Sequence, residues 1–344
     1  MKIGIVGYQG VGKSTLFSWL TGVEADPALS HAAQAAMATV PDERVEPLCQ
    51  IYNPKKVTEA SIELVDTPGL DRKHEGNAPK LSLIREAGCL IQVVAAFHDS
   101  VDPMADLAGF QEDFLLADLE IVSGRVERLR EAVRKPRPNQ DEQKAELAAI
   151  EPILAHLESG QALADFEMND EQEKATKSFS LLTLKPRLAI FNLADDDTDG
   201  SRFEAKSTEM CPIFAVPVGL EMELQRMDPE ERDEFRQEMG AGESYDRDAL
   251  IRAIMKASRQ QLFFTAGEKE VRTWMIHEGA TAVEAADSIH SDLARGFIRA
   301  ETMRCADLIE LGSEREVKAN NLMRQEPKDY VLQDGDIINV KFSV

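Results

Sequence analysis

Up to Val216 the chain alternates short apolar runs with longer stretches of mixed polarity. Lys2-Ile3-Gly4-Ile5-Val6, Leu90 to Phe97, Arg187-Leu188-Ala189-Ile190-Phe191 and Pro212-Ile213-Phe214-Ala215-Val216 are nearly continuous apolar runs. Strands buried on both faces read that way. Ser61-Ile62-Glu63-Leu64-Val65-Asp66 alternates toward an apolar end. Thr15-Leu16-Phe17-Ser18-Trp19-Leu20 reads as a helix, and the Ala-rich stretch from His31 to Ala38 as irregular. Strands alternating with helices predict an α/β fold with a mostly parallel sheet, whose ligands sit at the carboxyl ends of its strands.

Between Phe97 and Arg187 the period changes. Leu119, Val122, Val126, Leu129 and Val133 follow spacings of 3, 4, 3 and 4, and Leu147, Ile150, Leu154 and Leu157 continue the pattern. The break is Lys135-Pro136-Arg137-Pro138-Asn139-Gln140, so this region predicts an antiparallel helical hairpin inserted in the α/β domain. Asp228-Pro229-Glu230-Glu231 predicts a helix start, and a further helix is expected from Asp246 to about Arg259. Beyond it, Glu270 to Ile276 alternates like a strand and Thr281-Ala282-Val283-Glu284 fits a capping box. Tyr330-Val331-Leu332 and Ile337-Ile338-Asn339-Val340 flank the turn signal Gln333-Asp334-Gly335-Asp336, which completes a small C-terminal α+β module.

Hydrophobic residues make up 43% of 344, enough for real cores in two or three domains. No apolar run reaches the ~18 residues of a membrane span, and no secretory signal is read at the N-terminus. A cytoplasmic protein is expected, with no membrane contact and as a monomer. Cys49, Cys89, Cys211 and Cys305 are scattered, which fits reduced thiols and not a zinc site. A net charge of −23 repels polyanions at long range, so any nucleic-acid contact must be local. Arg125, Arg128, Arg130, Arg134, Lys135 and Arg137 form one basic run near the hairpin tip; a solvated helix face is the plainer reading of it.

Two motifs carry chemistry. Gly7-Tyr8-Gln9-Gly10-Val11-Gly12-Lys13-Ser14 follows the first strand, opens the first helix, and fits the phosphate-binding P-loop. Its backbone amides would cradle phosphates at the helix N-terminus, from Gln9, Gly10, Val11, Gly12, Lys13, Ser14 and Thr15. Lys13 would reach the β- and γ-phosphates as the catalytic cation, and Ser14 would ligate Mg²⁺. The second motif, Asp66-Thr67-Pro68-Gly69, ends a strand. Alone it is also a good turn sequence. After a P-loop it reads as the carboxylate holding the Mg²⁺ shell and a glycine whose N–H meets the γ-phosphate. Leu70 stands where Ras-type GTPases carry the water-orienting Gln. A leucine cannot orient water, so hydrolysis here needs another group, a cation or a partner.

Three separated stretches carry a resemblance: Phe264 to Trp274 with Gly296 to Glu301 and Lys328-Asp329-Tyr330; Leu181 to Pro186; and Leu116 to Glu120. Together they are similar, nearly end to end, to the YchF-type Obg-like ATPases, translation-factor-class P-loop NTPases. The hydrophobic Leu70 fits that family. The resemblance implies an OBG-type G domain in two parts, 1–113 and 185–258, a coiled-coil hairpin over 114–184, and a β-grasp TGS domain over 259–344. It also implies an ATPase that binds ribosomes or RNA through the hairpin and the TGS module.

Several segments depart from the family. The base-reading motif is Asn192-Leu193-Ala194-Asp195, with the Asp of guanine-specific relatives but without their Lys. ATP is favoured over GTP, with a GTPase as the alternative; Asn192, Leu193 and Asp195 are the expected base contacts. The segment beside the base reads Pro217-Val218-Gly219. The family's metal-binding threonine motif is missing; Ser30 and Thr39 are the nearest hydroxyls, and neither is assigned as a ligand. His98 is the nearest histidine to a family position linked to hydrolysis, on a shortened loop that argues against equivalence. The expected function is a slow Mg²⁺-dependent nucleoside triphosphatase acting as a switch on ribosome or RNA. The alternative is a nucleotide-responsive binding module without hydrolysis.

Overall fold

The computed structural model describes the chain except residues 30, 75, 99–101, 135–137, 198, 229, 233, 236–244, 246 and 344. Ser30, Lys135, Pro136, Arg137, Pro229 of the expected helix start and Asp246 therefore lie outside the described residues. The chain divides into two compact units, Met1–Ala36 with Glu63–Tyr245, and Met37–Ile62 with Asp246–Val344.

The first unit is built on a sheet of β1 (Lys2–Val6), β2 (Gln34–Thr39), β4 (Ser61–Asp66), β5 (Cys89–Ala96), β6 (Arg187–Leu193) and β7 (Ile213–Val216). Their order is β2-β4-β1-β5-β6-β7, and the pairs β1–β4, β1–β5, β5–β6 and β6–β7 are parallel. The seven residues of β6 are all buried, whereas β4 alternates, as the apolar patterns require. In β1, Ile5 pairs with Asp66 on one side and Ile91 on the other. The sheet order therefore reverses at β1, where crevices for ligands form. Strand β2 replaces the irregular segment expected around His31 to Ala38. Alanine has low strand preference, and pairing at the sheet edge overrides it.

Helix α1 (Lys13–Thr21) follows the loop after β1, and α2 (Val45–Tyr52) belongs to the second unit. After α3 (Asn77–Ile84), the long α4 (Pro103–Ala132) starts with Asp102 accepting from the Met104 N–H and Pro103 in the first turn. It pairs with α5 (Gln140–Glu158) as the antiparallel hairpin, and Val122, Val126, Leu129, Ile150, Ile153, Leu154 and Leu157 are buried between them. The fully buried Asp118 fixes the hairpin root. It accepts from Arg85 Nη1 at 2.7 Å, from the Leu182 and Thr183 N–H groups at 3.0 and 2.8 Å, and from Thr183 Oγ1 at 2.9 Å. A buried carboxylate must be paired and hydrogen-bonded, and this one is.

The second unit holds a sheet ordered β11-β10-β12-β8-β9-β3, with β3 (Val57–Thr58), β8 (Gln260–Ala266), β9 (Val271–His277), β10 (Phe297–Arg304), β11 (Arg324–Glu326) and β12 (Asp336–Phe342). The β8–β9 hairpin and the parallel β8–β12 contact give the β-grasp arrangement. Val45 and Leu48 of α2 are buried with Phe264, Val271, Met303 and Ile337, so α2 helps build this unit's core. The capping box forms: the Thr281 N–H donates to Glu284 Oε2 at 2.7 Å. Tyr330-Val331-Leu332 contributes only one bridge, Val331 with Thr281, because β12 is paired by β10 and β8.

Candidate active site

The loop between β1 and α1 needs glycine at several points, Gly10 and Gly12 among them. Gly10 has φ +80° and Gly12 φ +97°, and a Cβ on Gly12 would lie 2.3 Å from Asn192 Nδ2. Positive φ costs glycine nothing and other residues much. The strand-end segment closes onto this loop through main-chain bonds. The Leu70 N–H donates to Gly7 O and the Gln9 N–H to Leu70 O, both at 3.1 Å. A Cβ on Gly69 would meet Lys13 Nζ at 2.8 Å and Gln9 N at 2.9 Å, so only glycine allows the approach. Leu70 is fully buried and offers nothing to a water molecule.

A cavity of about 320 Å³ lies between these segments, lined by Gln9, Gly10, Lys13, Ser14, Asp66, Gly69, His31 and Lys80 among others. Lys13 is 7% exposed, and its ammonium donates to Tyr8 O at 2.9 Å. Burial lowers its pKa to about 8, and the nearby Lys80 adds to the shift while Asp66 opposes it. Ser14 Oγ donates to Asp66 Oδ2 at 2.6 Å. Burial pushes the Asp66 carboxyl above its usual range, against the Ser14 bond and the Lys13 charge. Asp66 Oδ1 is buried without a partner. One orphaned carboxylate oxygen beside a hydroxyl suits Mg²⁺, which takes one or two protein oxygens and fills its shell with water and phosphate. Among the described residues no cluster of three His, Cys, Asp or Glu could hold a metal. Ser14 and Asp66 would hold the ion, which when bound would neutralise phosphate charge.

At the other end of the cleft, Asn192 is buried. Its Nδ2 donates to Val11 O at 3.2 Å, and its Oδ1 accepts from the Val218 N–H at 3.1 Å. It thus ties β6 to the P-loop and to α6 (Val218–Gln225). Asp195 is exposed, with Oδ1 accepting from the Leu220 N–H at 3.1 Å. Leu193 is not available as a side-chain base contact. It is buried among Val94, Phe191, Phe203 and Ile213, because it falls on the core-facing side of β6.

Two family models match the chain. MMR_HSR1, described as a 50S ribosome-binding GTPase, matches residues 2–122, and YchF-GTPase_C, described as a protein of unknown function, matches residues 261–343. The chain is 36% identical to the Ribosome-binding ATPase YchF of Escherichia coli O157:H7, over 100% of this chain and 99% of that one. It is 34% identical to the protein of that name from Bacillus subtilis (strain 168), over the full length of both. The solved structure of the Schizosaccharomyces pombe YchF GTPase matches with a TM-score of 0.82 at 27% identity, covering 99% of this chain and 97% of that one. The chain belongs to the YchF family.

Within this YchF-family site, Gln9, Gly10, Lys13, Ser14, Asp66 and Gly69 come together around one cavity. Val11, Gly12 and Thr15 continue the loop and helix without lining it, Val11 and Gly12 serving as the contact with Asn192. His98 is exposed, with its ring edge-on to Phe97 at 4.9 Å, and does not line the cavity. Thr39 lies exposed on β2. Lys80 and His31 were not singled out from sequence. Lys80 is in the first turn of α3, and its only sequence signal is a lysine opening the helix after Asp66-Thr67-Pro68-Gly69.

Beside the cavity, Tyr8 Oη donates to Asp113 Oδ2 at 3.1 Å, and Asp113 Oδ1 pairs with His74 at 2.5 Å. Arg72 lies over the Tyr8 ring and is bidentate to Asp106. These contacts hold the segment after Gly69 to the start of α4.

Proposed function

We propose that this chain is a slow Mg²⁺-dependent nucleoside triphosphatase, favouring ATP over GTP, that works as a nucleotide-dependent switch binding the ribosome. Relatives named Ribosome-binding ATPase YchF support the hydrolytic and ribosomal parts. The observation that carries the chemistry is the cavity itself: a buried lysine, a serine bonded to a carboxylate, and one unpartnered carboxylate oxygen. Phosphoryl transfer asks mainly for positioning and charge neutralisation, and these groups supply both. The buried Leu70, which cannot orient a water molecule, supports slow turnover. Preference for ATP is supported by Leu193, which stands buried where the guanine motif carries its lysine, while Asp195, exposed, still offers guanine a carboxylate. The four-part domain organisation, monomeric state and cytoplasmic location belong to the same reading.

Contact with ribosome or RNA through the hairpin tip now rests on fewer charges. Arg125 pairs with Glu146 at 2.6 Å and Arg130 with Glu151 at 2.8 Å, leaving Arg128 and Arg134 as the exposed arginines without such a partner among the described residues. The TGS domain is the second proposed contact.

A non-hydrolysing, nucleotide-responsive binder is the second reading, favoured by the exposed His98 outside the cavity and by Leu70. Single-turnover phosphate release separates the two, measured with Mg²⁺, potassium and ribosomes. Release slower than the usual ~1–1000 per second but above background, and lost in Lys13→Ala, is expected. Release at the same rate in Lys13→Ala sinks the mechanism; release at background from the parent leaves only the binding reading.

A further inference from the structure

Sequence demands a cation or a partner where the water-orienting glutamine is missing, and the structure places a cation in the cavity. Lys80 Nζ donates to Gly69 O at 2.7 Å. An ammonium has three donors, so two remain for the cavity that Lys80 lines with Lys13, Ser14 and Asp66. Gly69 is the hinge of this arrangement. Its Cα faces Lys13 Nζ and Gln9 closely enough to exclude a Cβ, while its carbonyl holds Lys80. Lys13 and Lys80 therefore approach one phosphate position from two segments, the P-loop and the turn opposite it. Their mutual repulsion adds to the lowering of the Lys13 pKa. Two ammonium groups and one carboxylate make a site that an anion relieves.

The lysine is also well placed by its surroundings. The Asp71 N–H donates to Asn77 Oδ1 at 2.8 Å, and Asn77 Nδ2 donates to Asp71 O at 2.9 Å. Asn77 is buried, so the first turn of α3 is tied to the segment that follows Gly69. That tie removes much of the freedom a surface lysine would lose on binding phosphate.

We propose that Lys80 is a second phosphate-binding and catalytic lysine, donating to the γ-phosphate of a bound nucleoside triphosphate from the Gly69 side and stabilising the charge that develops there during hydrolysis. This rests on the triphosphatase reading. In the step, the water oxygen forms a bond to Pγ. The bridging Pγ–O bond breaks, and its electron pair stays on the β-phosphate oxygen. The water proton passes to the released phosphate. Lys80 keeps its own proton and contributes hydrogen bonds and charge, as an arginine finger does. A diphosphate lacks the group that Lys80 touches, so the lysine also distinguishes the triphosphate from the product.

The test compares the parent with Lys80→Met and Lys80→Arg. Two quantities are read: single-turnover phosphate release, and dissociation constants for ADP and for a non-hydrolysable ATP analogue. Lys80 is on the surface of α3, and thermal melting confirms that the variants are folded. Lys80→Met should release phosphate at least about tenfold more slowly. It should bind the analogue several-fold more weakly with ADP affinity unchanged, and Lys80→Arg should recover part of both. An unchanged release rate, or an equal loss for ADP and analogue, overturns the proposal. If the parent itself releases no phosphate, the hydrolytic reading fails instead, and the analogue-to-ADP ratio still decides whether Lys80 meets the γ-phosphate.

Discussion

The phosphate end of the cleft and its base end are built on different principles. At the phosphate end, main-chain bonds lock two segments together, and charges are buried where an anion must sit: Leu70 to Gly7 and Gln9, Gly69 against Lys13, Ser14 to Asp66. At the base end, one buried side chain, Asn192, ties the P-loop to α6, and Asp195 stands exposed. Desolvated charge interacts strongly and discriminates; an exposed carboxylate is screened by water. The protein should therefore hold nucleotides chiefly by their phosphates and tell bases apart poorly.

The two ends meet at Gly12, and breaking that contact should have the largest effect after loss of Lys13. Gly12→Ala forces an L-residue to φ +97° and drives its Cβ to 2.3 Å from Asn192 Nδ2. Backbone strain of this kind costs about 1–3 kcal/mol before the clash is counted. Affinity for ATP and GTP should fall together by at least about tenfold, by titration of each. A change in their ratio with little loss of either would show that the ends are not separable.

A pH series sharpens the comparison next. Burial lowers the Lys13 pKa to about 8 because it disfavours the charged form. Phosphate needs the ammonium. Below pH 8 the proton is already present, and affinity should be flat. Above it, binding must take up a proton, and affinity should fall by up to about tenfold per pH unit. Calorimetry at pH 7, 8 and 9 checks this, and proton uptake absent at pH 9 would contradict it. Because the effect lies in the phosphates, ATP and GTP should share the slope.

The same contrast governs what sequence could reveal. The P-loop, Asp66 and Gly69 were legible because phosphate chemistry fixes residue type and spacing within short segments. Lys80 was not, since only the fold of the turn between Gly69 and Asn77 brings it to the cavity. That the Leu193 side chain packs into the core was not legible, because motif position says nothing about how a side chain on β6 packs. The main strands were legible from apolar runs, and the hairpin from its heptads. Strand β2 was hidden by its alanines, and Val45 and Leu48 gave no sign that they build the core of the second unit. Packing decided both. Asp118 sits inside a stretch that resembled the family, and its four bonds at the hairpin root give that stretch a physical reason.

The most direct test of weak base discrimination is a side-by-side titration of the parent protein with ATP and GTP, with Mg²⁺ at pH 7. The account predicts the tighter binding for ATP, with GTP weaker by less than tenfold, or about 1.4 kcal/mol. GTP binding more than tenfold tighter than ATP would mean that Asp195 grips guanine with both oxygens despite its bond to Leu220, and would contradict the account.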